Sequence, residues 1–182
     1  APWERVLGAA FHSVMTRSAG FNAVDTGAMQ PETLAVSYAL MLIGGGSAGT
    51  AGGIKITTFL LLGYVVWAEV KGRQDVEVFN RRIDPPTQRQ ALTVALLSIL
   101  AVGLGTLILL SVTDLPLDRV LFEAISAFAT VGLSTGITAD LPPSAQIVIV
   151  LLMYIGRVGT ITVATALAVG RAPRPYRFPK EN

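Results

Sequence analysis

Cysteine is absent from the 182 residues, and histidine occurs once, at His12. Disulfide frameworks and thiolate metal sites are therefore excluded, and a lone imidazole on a short apolar stretch has no second ligand with which to hold a transition metal. Charge is also scarce. Asp, Glu, Lys and Arg make up 14% of the chain, against about 25% in an average soluble domain. The net charge of +2 is too small to point to nucleic acid, and no basic patch is interleaved with aromatics. No nucleophile elbow or catalytic constellation is visible, so no enzyme and no cofactor are expected. What remains is apolar: 52% of residues are hydrophobic and the mean hydropathy is +0.59. A bilayer is the expected solvent. The start, Ala1-Pro2-Trp3-Glu4-Arg5, has neither a basic-then-apolar leader nor an initiator Met, so a longer parent chain is expected.

The apolar segments come in two lengths. Residues 6–15 and 120–130 are too short to span a membrane, which takes about 20 residues, and suit half-helices that dip in and return. Each is followed by a small-residue exit: Thr16-Arg17-Ser18-Ala19-Gly20-Phe21-Asn22 after the first, and Ala129-Thr130-Val131-Gly132-Leu133-Ser134 after the second. The longer segments are 31–70, 91–112 and 143–170. Ala91 to Val112 carries no charge and reads as a plain transmembrane helix. Residues 31–70 as one helix would reach about 60 Å, twice the hydrocarbon thickness. The glycine-rich run from Gly44 to Gly53 relieves this as a mid-membrane break, tolerated at depth only where it is buried in protein or lines a wet cavity. Gly156-Arg157-Val158-Gly159 breaks the last long segment chemically. The charged loop 71–90, with Asp84-Pro85-Pro86 as a breaker, and the tail 171–182, with Arg171, Arg174, Arg177 and Lys180, are expected on the cytoplasmic side by the positive-inside rule. Trp3 and Trp67 suit interfacial anchors.

An offset of 112 residues superposes the two halves. Gly20 falls on Gly132, Pro31 on Pro143, Gly44 on Gly156 and Thr50 on Thr162. The repeating unit is helix, half-helix, filter-like loop, helix. Residues 91–170 form one complete unit; residues 1–70 form another that lacks its first helix. The expected fold is an all-α membrane protein of repeated helix–pore loop–helix units, and two such units cannot enclose a pore alone.

An extended Thr-Val-Gly segment at the end of a half-helix is a way to offer backbone carbonyls to a bare cation inside a membrane. The expected ion-binding groups are the backbone oxygens of Ser18, Ala19, Gly20, Phe21, Thr130, Val131, Gly132 and Leu133. The half-helix C-termini add partial negative charge toward the ion. Two ordinary glycine turns after core helices would look similar. The expected gate comprises Gly44, Gly45, Gly46, Ser47, Gly49, Thr50, Gly52, Gly53 and Lys55, with Arg157 reaching carbonyls around Gly45–Thr50 as a latch. A structural Arg paired between helices is the alternative for Arg157, and Lys55 could equally snorkel to the interface. GGGSAG (44–49) also matches a dinucleotide-binding fingerprint, with Glu69 twenty residues beyond Gly49. Its flanks are too long and apolar for strands, and no GK[ST] exists for a P-loop. Arg17 is read as a structural brace, His12 as packing, and Glu123 as the partner of an unnamed Arg.

Four stretches jointly carry a family resemblance: FHSVMTRSAGFNAVD (11–25), GGGSAGTAGGIKITTF (44–59), FEAISAFATVGLSTG (122–136) and MYIGRVGTIT (153–162). With them the chain resembles the C-terminal half of a membrane subunit of the Trk/Ktr/HKT potassium transporters, the TVGLS loop favouring the bacterial Ktr type. The resemblance implies four pore units in one polypeptide, one glycine per filter loop, and uptake of K⁺, with Na⁺ as the other candidate ion. It also implies a multi-pass location in the cell membrane, dimeric assembly and a cytosolic nucleotide-binding regulatory partner. The chain departs from that pattern in holding fewer than two units. A non-conducting membrane interaction segment is the alternative from another class, and a soluble dinucleotide-binding enzyme is the third.

Overall fold

The computed structural model describes residues 2–22, 24–46, 51–73, 75–78 and 81–169. It is mostly helical. Helix α1 runs Pro2–Met15, α2 Pro31–Leu42, α3 Ile56–Val70, α4 Pro85–Val112, α5 Leu117–Phe128 and α6 Pro143–Val169. Two short 3-10 turns, Thr26–Ala28 and Ile137–Asp140, precede α2 and α6. The charged loop also holds a minimal antiparallel ribbon, β1 Glu77–Val78 with β2 Arg81–Arg82, and an exposed Arg82–Asp75 ion pair at 2.8 Å.

Proline sets where the long helices begin. Pro31, Pro85 and Pro143 each open one, where the missing N–H has no intrahelical partner to lose. The expected breaker Asp84-Pro85-Pro86 is thus a helix start: Asp84 is the N-cap residue, and α4 begins at Pro85 rather than Ala91. Similarly α5 begins at Leu117, in the turn after α4, rather than at Val120. The long helix expected from Pro143 runs as α6 to Val169, and the chemically distinct stretch Gly156–Gly159 lies within it as continuous helix. The tail 171–182 lies outside the described residues.

Helices α4, α5 and α6 pack on one another, α2 lies against α5, and α3 against α4. The shortest of the central three is the most enclosed. Residues from Phe122 to Phe128 of α5 are all buried. Phe122, Ile125 and Phe128 meet Leu34 and Met41 of α2 and Val102 of α4. Val120, Ala124 and Ala127 meet Leu109 of α4 and Ala145, Ile149 and Leu152 of α6. Tyr38 ties α2 to α5, with its ring edge-on to Phe122 and its hydroxyl donating to the Asp118 carbonyl at 2.8 Å.

Helix α4 is the reverse case. At 28 residues it is about 42 Å long, and it is the one helix among the described residues long and apolar enough to cross a membrane. Its buried residues Ala91, Ala95, Ser98, Val102, Gly105 and Leu109 form a single seam, spaced by threes and fours. Small residues on that seam let backbones approach. Leu92, Leu96, Ile99, Leu100 and Leu107 face outward, an apolar exterior that water would penalise and lipid would not.

Two glycines of α4 separate close packing from mere helix composition. A Cβ on Gly105 would lie 2.7 Å from Cδ1 of Leu152, whereas one on Gly103 would meet nothing within 4 Å. In the whole protein, Gly105→Ala is expected to lower the thermal midpoint by the equivalent of about 1–3 kcal/mol. Gly103→Ala should leave the midpoint unchanged or raise it. Melting of the detergent-solubilised variants checks the pair.

Candidate functional site

The two loops that follow the short helices share an unusual backbone. Ser18 (φ 88°) and Gly20 (φ 66°) are left-handed after α1, and Thr130 (φ 55°) and Gly132 (φ 90°) are left-handed after α5. Non-glycine residues resist this region, so Ser18 and Thr130 are held there by their surroundings. Ser18 and Thr130 stand 112 residues apart, as do Gly20 and Gly132.

The loops also touch. Ser18 Oγ donates to the Thr130 carbonyl at 2.8 Å, and Thr26 Oγ1 donates to the Ser134 carbonyl. A Cβ on Gly20 would come 2.7 Å from the Val131 carbonyl oxygen, and one on Gly132 would lie 3.3 Å from Gly20 Cα. Only glycine permits an approach this close at both positions. Ala19, Phe21 and Gly132 are exposed, while Ser18 and Gly20 are half-buried. From Val131 to Ile137 burial alternates: 131, 133, 135 and 137 point into the protein, the period of an extended chain.

The second loop is bound to α5 from behind. Ser126 Oγ donates to the Leu133 carbonyl at 2.5 Å, so of the carbonyls singled out in the sequence this one is shared with the core. Glu123, only 5% exposed, accepts at Oε1 from Ser134 Oγ (2.6 Å), the Thr135 amide (2.9 Å) and Thr135 Oγ1 (3.3 Å). At Oε2 it accepts from Thr138 Oγ1 (2.9 Å). The sequence expectation for Glu123 is an unnamed Arg; the partners the structure shows are hydroxyls and an amide of the loop eleven to fifteen residues onward. The sequence signal was there in Ser134, Thr135 and Thr138, a run of donors with no assigned acceptor.

The described flanks of the glycine-rich break, 43–46 and 51–54, close on each other, and Gly52 and Gly53 lie against the end of α5. The chain leaving α2 and the chain entering α3 are bridged at Ile43 and Ile54. The Gly44 amide donates to the Ile54 carbonyl at 2.8 Å, and the Ile54 amide to Leu42 at 3.1 Å. Gly52 donates through its amide to Thr130 Oγ1 at 2.8 Å, and a Cβ there would meet the Phe128 carbonyl at 2.9 Å. Gly53, at φ +71°, abuts Ala129. Gly44 packs on Gly52, and Gly156 of α6 packs directly on Phe128, where any Cβ would overlap its backbone. Glycines 44, 52, 53 and 156 thus crowd the region around the end of α5. Gly45 and Gly46 continue the excursion; Ser47, Gly49 and Thr50 lie outside the described residues.

The cations fall around this region. Lys55 Nζ donates to the Ala51 carbonyl. Arg157 borders a recess of roughly 610 Å³ shared with Glu123, Thr130, Gly132, Ser134 and Tyr154. The contact expected between Arg157 and carbonyls of Gly45–Thr50 falls in part on residues outside the described set. Arg17 reaches the Ile43 carbonyl at 3.5 Å. His12 Nε2 pairs with Ser37 Oγ at 3.0 Å, tying α1 to α2. Trp67 carries the Lys71 ammonium 4.5 Å from its ring centroid. Among the described residues no cluster of His, Asp or Glu could hold a transition metal.

Comparison with known proteins gives this arrangement its context. The family model described as TrkH, cation transport protein, matches residues 2–173. The chain is 38% identical over 165 residues to Ktr system potassium uptake protein B of Bacillus subtilis, covering 91% of this chain and 37% of that protein. It is 38% identical over 177 residues to the protein of the same name from Vibrio alginolyticus, covering 96% and 38%. Identity is 39% over 186 residues to the potassium/sodium uptake protein NtpJ of Enterococcus hirae, covering 98% and 41%. The chain spans about two fifths of the length of these relatives. A family of transporters, not enzymes, places the chain in a membrane and removes the dinucleotide-binding enzyme from consideration. Its mostly helical architecture and its match over nearly the whole sequence lead to one assignment: the chain belongs to the TrkH cation transport protein family.

Proposed function

We propose that this chain supplies two of the pore loops of a potassium transporter, with Na⁺ as the competing ion. Backbone carbonyls of residues 18–21 and 130–133 line the ion path. The observation that carries the reading is the pair of loops with left-handed residues at 18 and 20 and at 130 and 132, in direct mutual contact. In an ordinary extended chain successive carbonyls point to opposite sides. Left-handed residues at alternate positions turn the intervening peptides, so that carbonyls gather on one side of the loop, where a dehydrated cation can meet several at once. The C-terminal ends of α1 and α5 add partial negative charge. Two loops cover only part of a ring, so the remaining units come from the same parent polypeptide.

The glycine-rich excursion below these loops is the gate, with Lys55 and Arg157 as its fixed positive charges. Supporting this are the contacts of Gly52 and Gly53 with Ala129 and Thr130 and the place of Arg157 on the recess bordered by Thr130 and Gly132. A positive charge on a cation path repels the ion. The unit boundaries follow: 1–70 as an incomplete pore unit, 71–90 and the tail on the cytoplasmic side, and 91–170 as a complete unit. The relatives' names include Ktr systems, and a homodimer working with a cytosolic nucleotide-binding regulatory subunit is the assembly we assign. The exposed apolar face of α4 meets lipid.

Three measurements in the whole transporter test this. Gly132→Ser forces a side chain onto a left-handed residue beside Gly20 and should reduce preference for Rb⁺ over Na⁺ uptake by about tenfold; unchanged preference would remove the loop from the ion path. Deleting residues 46–51 should raise K⁺ flux, and flux that stays level or falls counts against a gate. Arg157→Gln should speed uptake if the guanidinium is a latch, and should cost folded protein instead if it is a packing element.

A further inference from the structure

Glu123 is the group in this region that the transport reading does not use. It sits on the most enclosed helix, and its carboxyl group accepts four hydrogen bonds. Its Oε1 takes Ser134 Oγ, the Thr135 amide and Thr135 Oγ1; its Oε2 takes Thr138 Oγ1. All four donors belong to the stretch that leaves the second loop, so one side chain fixes residues 134, 135 and 138 together. Ser134 Oγ, while donating to Glu123, accepts from the Gly136 amide at 2.9 Å. Gly136 is itself left-handed, at φ 95°.

The arrangement is not shared by the first loop. The position 112 residues before Glu123 is Phe11, whose ring accepts no such bonds and is 38% exposed. The first loop leans instead on the second, Ser18 Oγ donating to the Thr130 carbonyl, and the 3-10 turn that follows it leans there too, Thr26 Oγ1 donating to the Ser134 carbonyl. Ser134 is therefore the junction. Its hydroxyl is held by Glu123, and its carbonyl holds Thr26, beyond the first loop.

We infer that Glu123 is the positioning residue for both loops: it locks the second loop from behind, and the first loop takes its place from the second. Ion discrimination by carbonyls depends on how firmly those carbonyls are held at the distance that suits one ion. A loop released at Ser134, Thr135 and Thr138 can collapse onto the smaller Na⁺. The inference rests on the ion-path reading of residues 18–21 and 130–133.

The test uses the whole transporter in cells lacking other K⁺ uptake, with initial uptake of Rb⁺ and of radiolabelled Na⁺ measured at equal concentrations. Glu123→Ala removes every contact and should lower the Rb⁺:Na⁺ uptake ratio by about tenfold. Glu123→Gln should restore most of it, because its amide oxygen can accept from Ser134 and Thr135 while its NH₂ donates to the Thr138 hydroxyl. A Glu123→Ala protein with an unchanged ratio overturns the inference, even if total uptake falls, because a merely structural prop would lower both ions together. Should Glu123→Ala fail to reach the membrane, the double variant Ser134→Ala, Thr138→Val decides: a shift of about threefold in the same direction supports the inference, and an unchanged ratio overturns it. Gly132→Ser, run alongside, separates the two failures. If it leaves the ratio unchanged, the ion-path reading falls; if it shifts the ratio while the Glu123 variants do not, only the positioning role falls.

Discussion

Backbone without regular secondary structure cannot stand in a membrane unless protein satisfies its polar groups, since lipid offers no hydrogen bonds. The irregular backbone of residues 129–136 has its polar groups satisfied by protein, from α5 and from the chain after α1. Ser126 takes the Leu133 carbonyl, Glu123 takes the Thr135 amide, and Ser18 and Thr26 cap the carbonyls of Thr130 and Ser134. The rest of the molecule is arranged to make this possible. Helices α2, α4 and α6 enclose α5 so that a carboxyl group and a hydroxyl can sit on a buried surface and point at the loop. The glycines at 52, 53 and 156 let neighbouring backbone come up against its end.

This order inverts that of a soluble protein. The helix long and apolar enough to cross a membrane, α4, turns much of its surface outward, while the short helix α5 carrying Glu123 and Ser126 forms the centre. A bilayer rewards the arrangement: apolar side chains lose little by facing lipid, whereas a carboxyl group gains from being enclosed with its donors. Burial therefore does not track hydrophobicity along this chain, and a reading that equates apolar with interior would mistake α4 for the core.

The glycines divide by function once their neighbours are known. Gly103 and Gly63 meet nothing. Gly105 and Gly156 allow helices to close on Leu152 and on Phe128. Gly20 and Gly132 hold left-handed turns that also bring two loops into contact. The stretch Gly156–Gly159 interrupts its helix only chemically, and the helix uses Gly156 as a flat contact surface. The break at Gly44–Gly53 is a true excursion, closed by its own backbone bonds between residues 42–45 and 54–56. Composition makes the two motifs look alike. The difference is that α6 has α5 to pack on at that level, whereas the chain after α2 turns beneath it.

The sequence by itself determined which segments are apolar, the small-residue exits at 16–22 and 129–134, the 112-residue correspondence and the family, because hydropathy and glycine spacing are local properties of the chain. Helix starts at Pro31 and Pro143 were legible for the same reason, while Asp84-Pro85-Pro86 reads as a breaker inside a loop because proline signals a boundary without saying on which side the helix lies. The partner of Glu123 was decided only by the tertiary structure. A buried carboxyl group accepts from whichever donors the fold brings within 3 Å or so, and Ser134, Thr135 and Thr138 reach it only after the loop has turned back along α5. The same holds for the leaning of the first loop on the second, a contact between residues more than a hundred positions apart that no local pattern specifies.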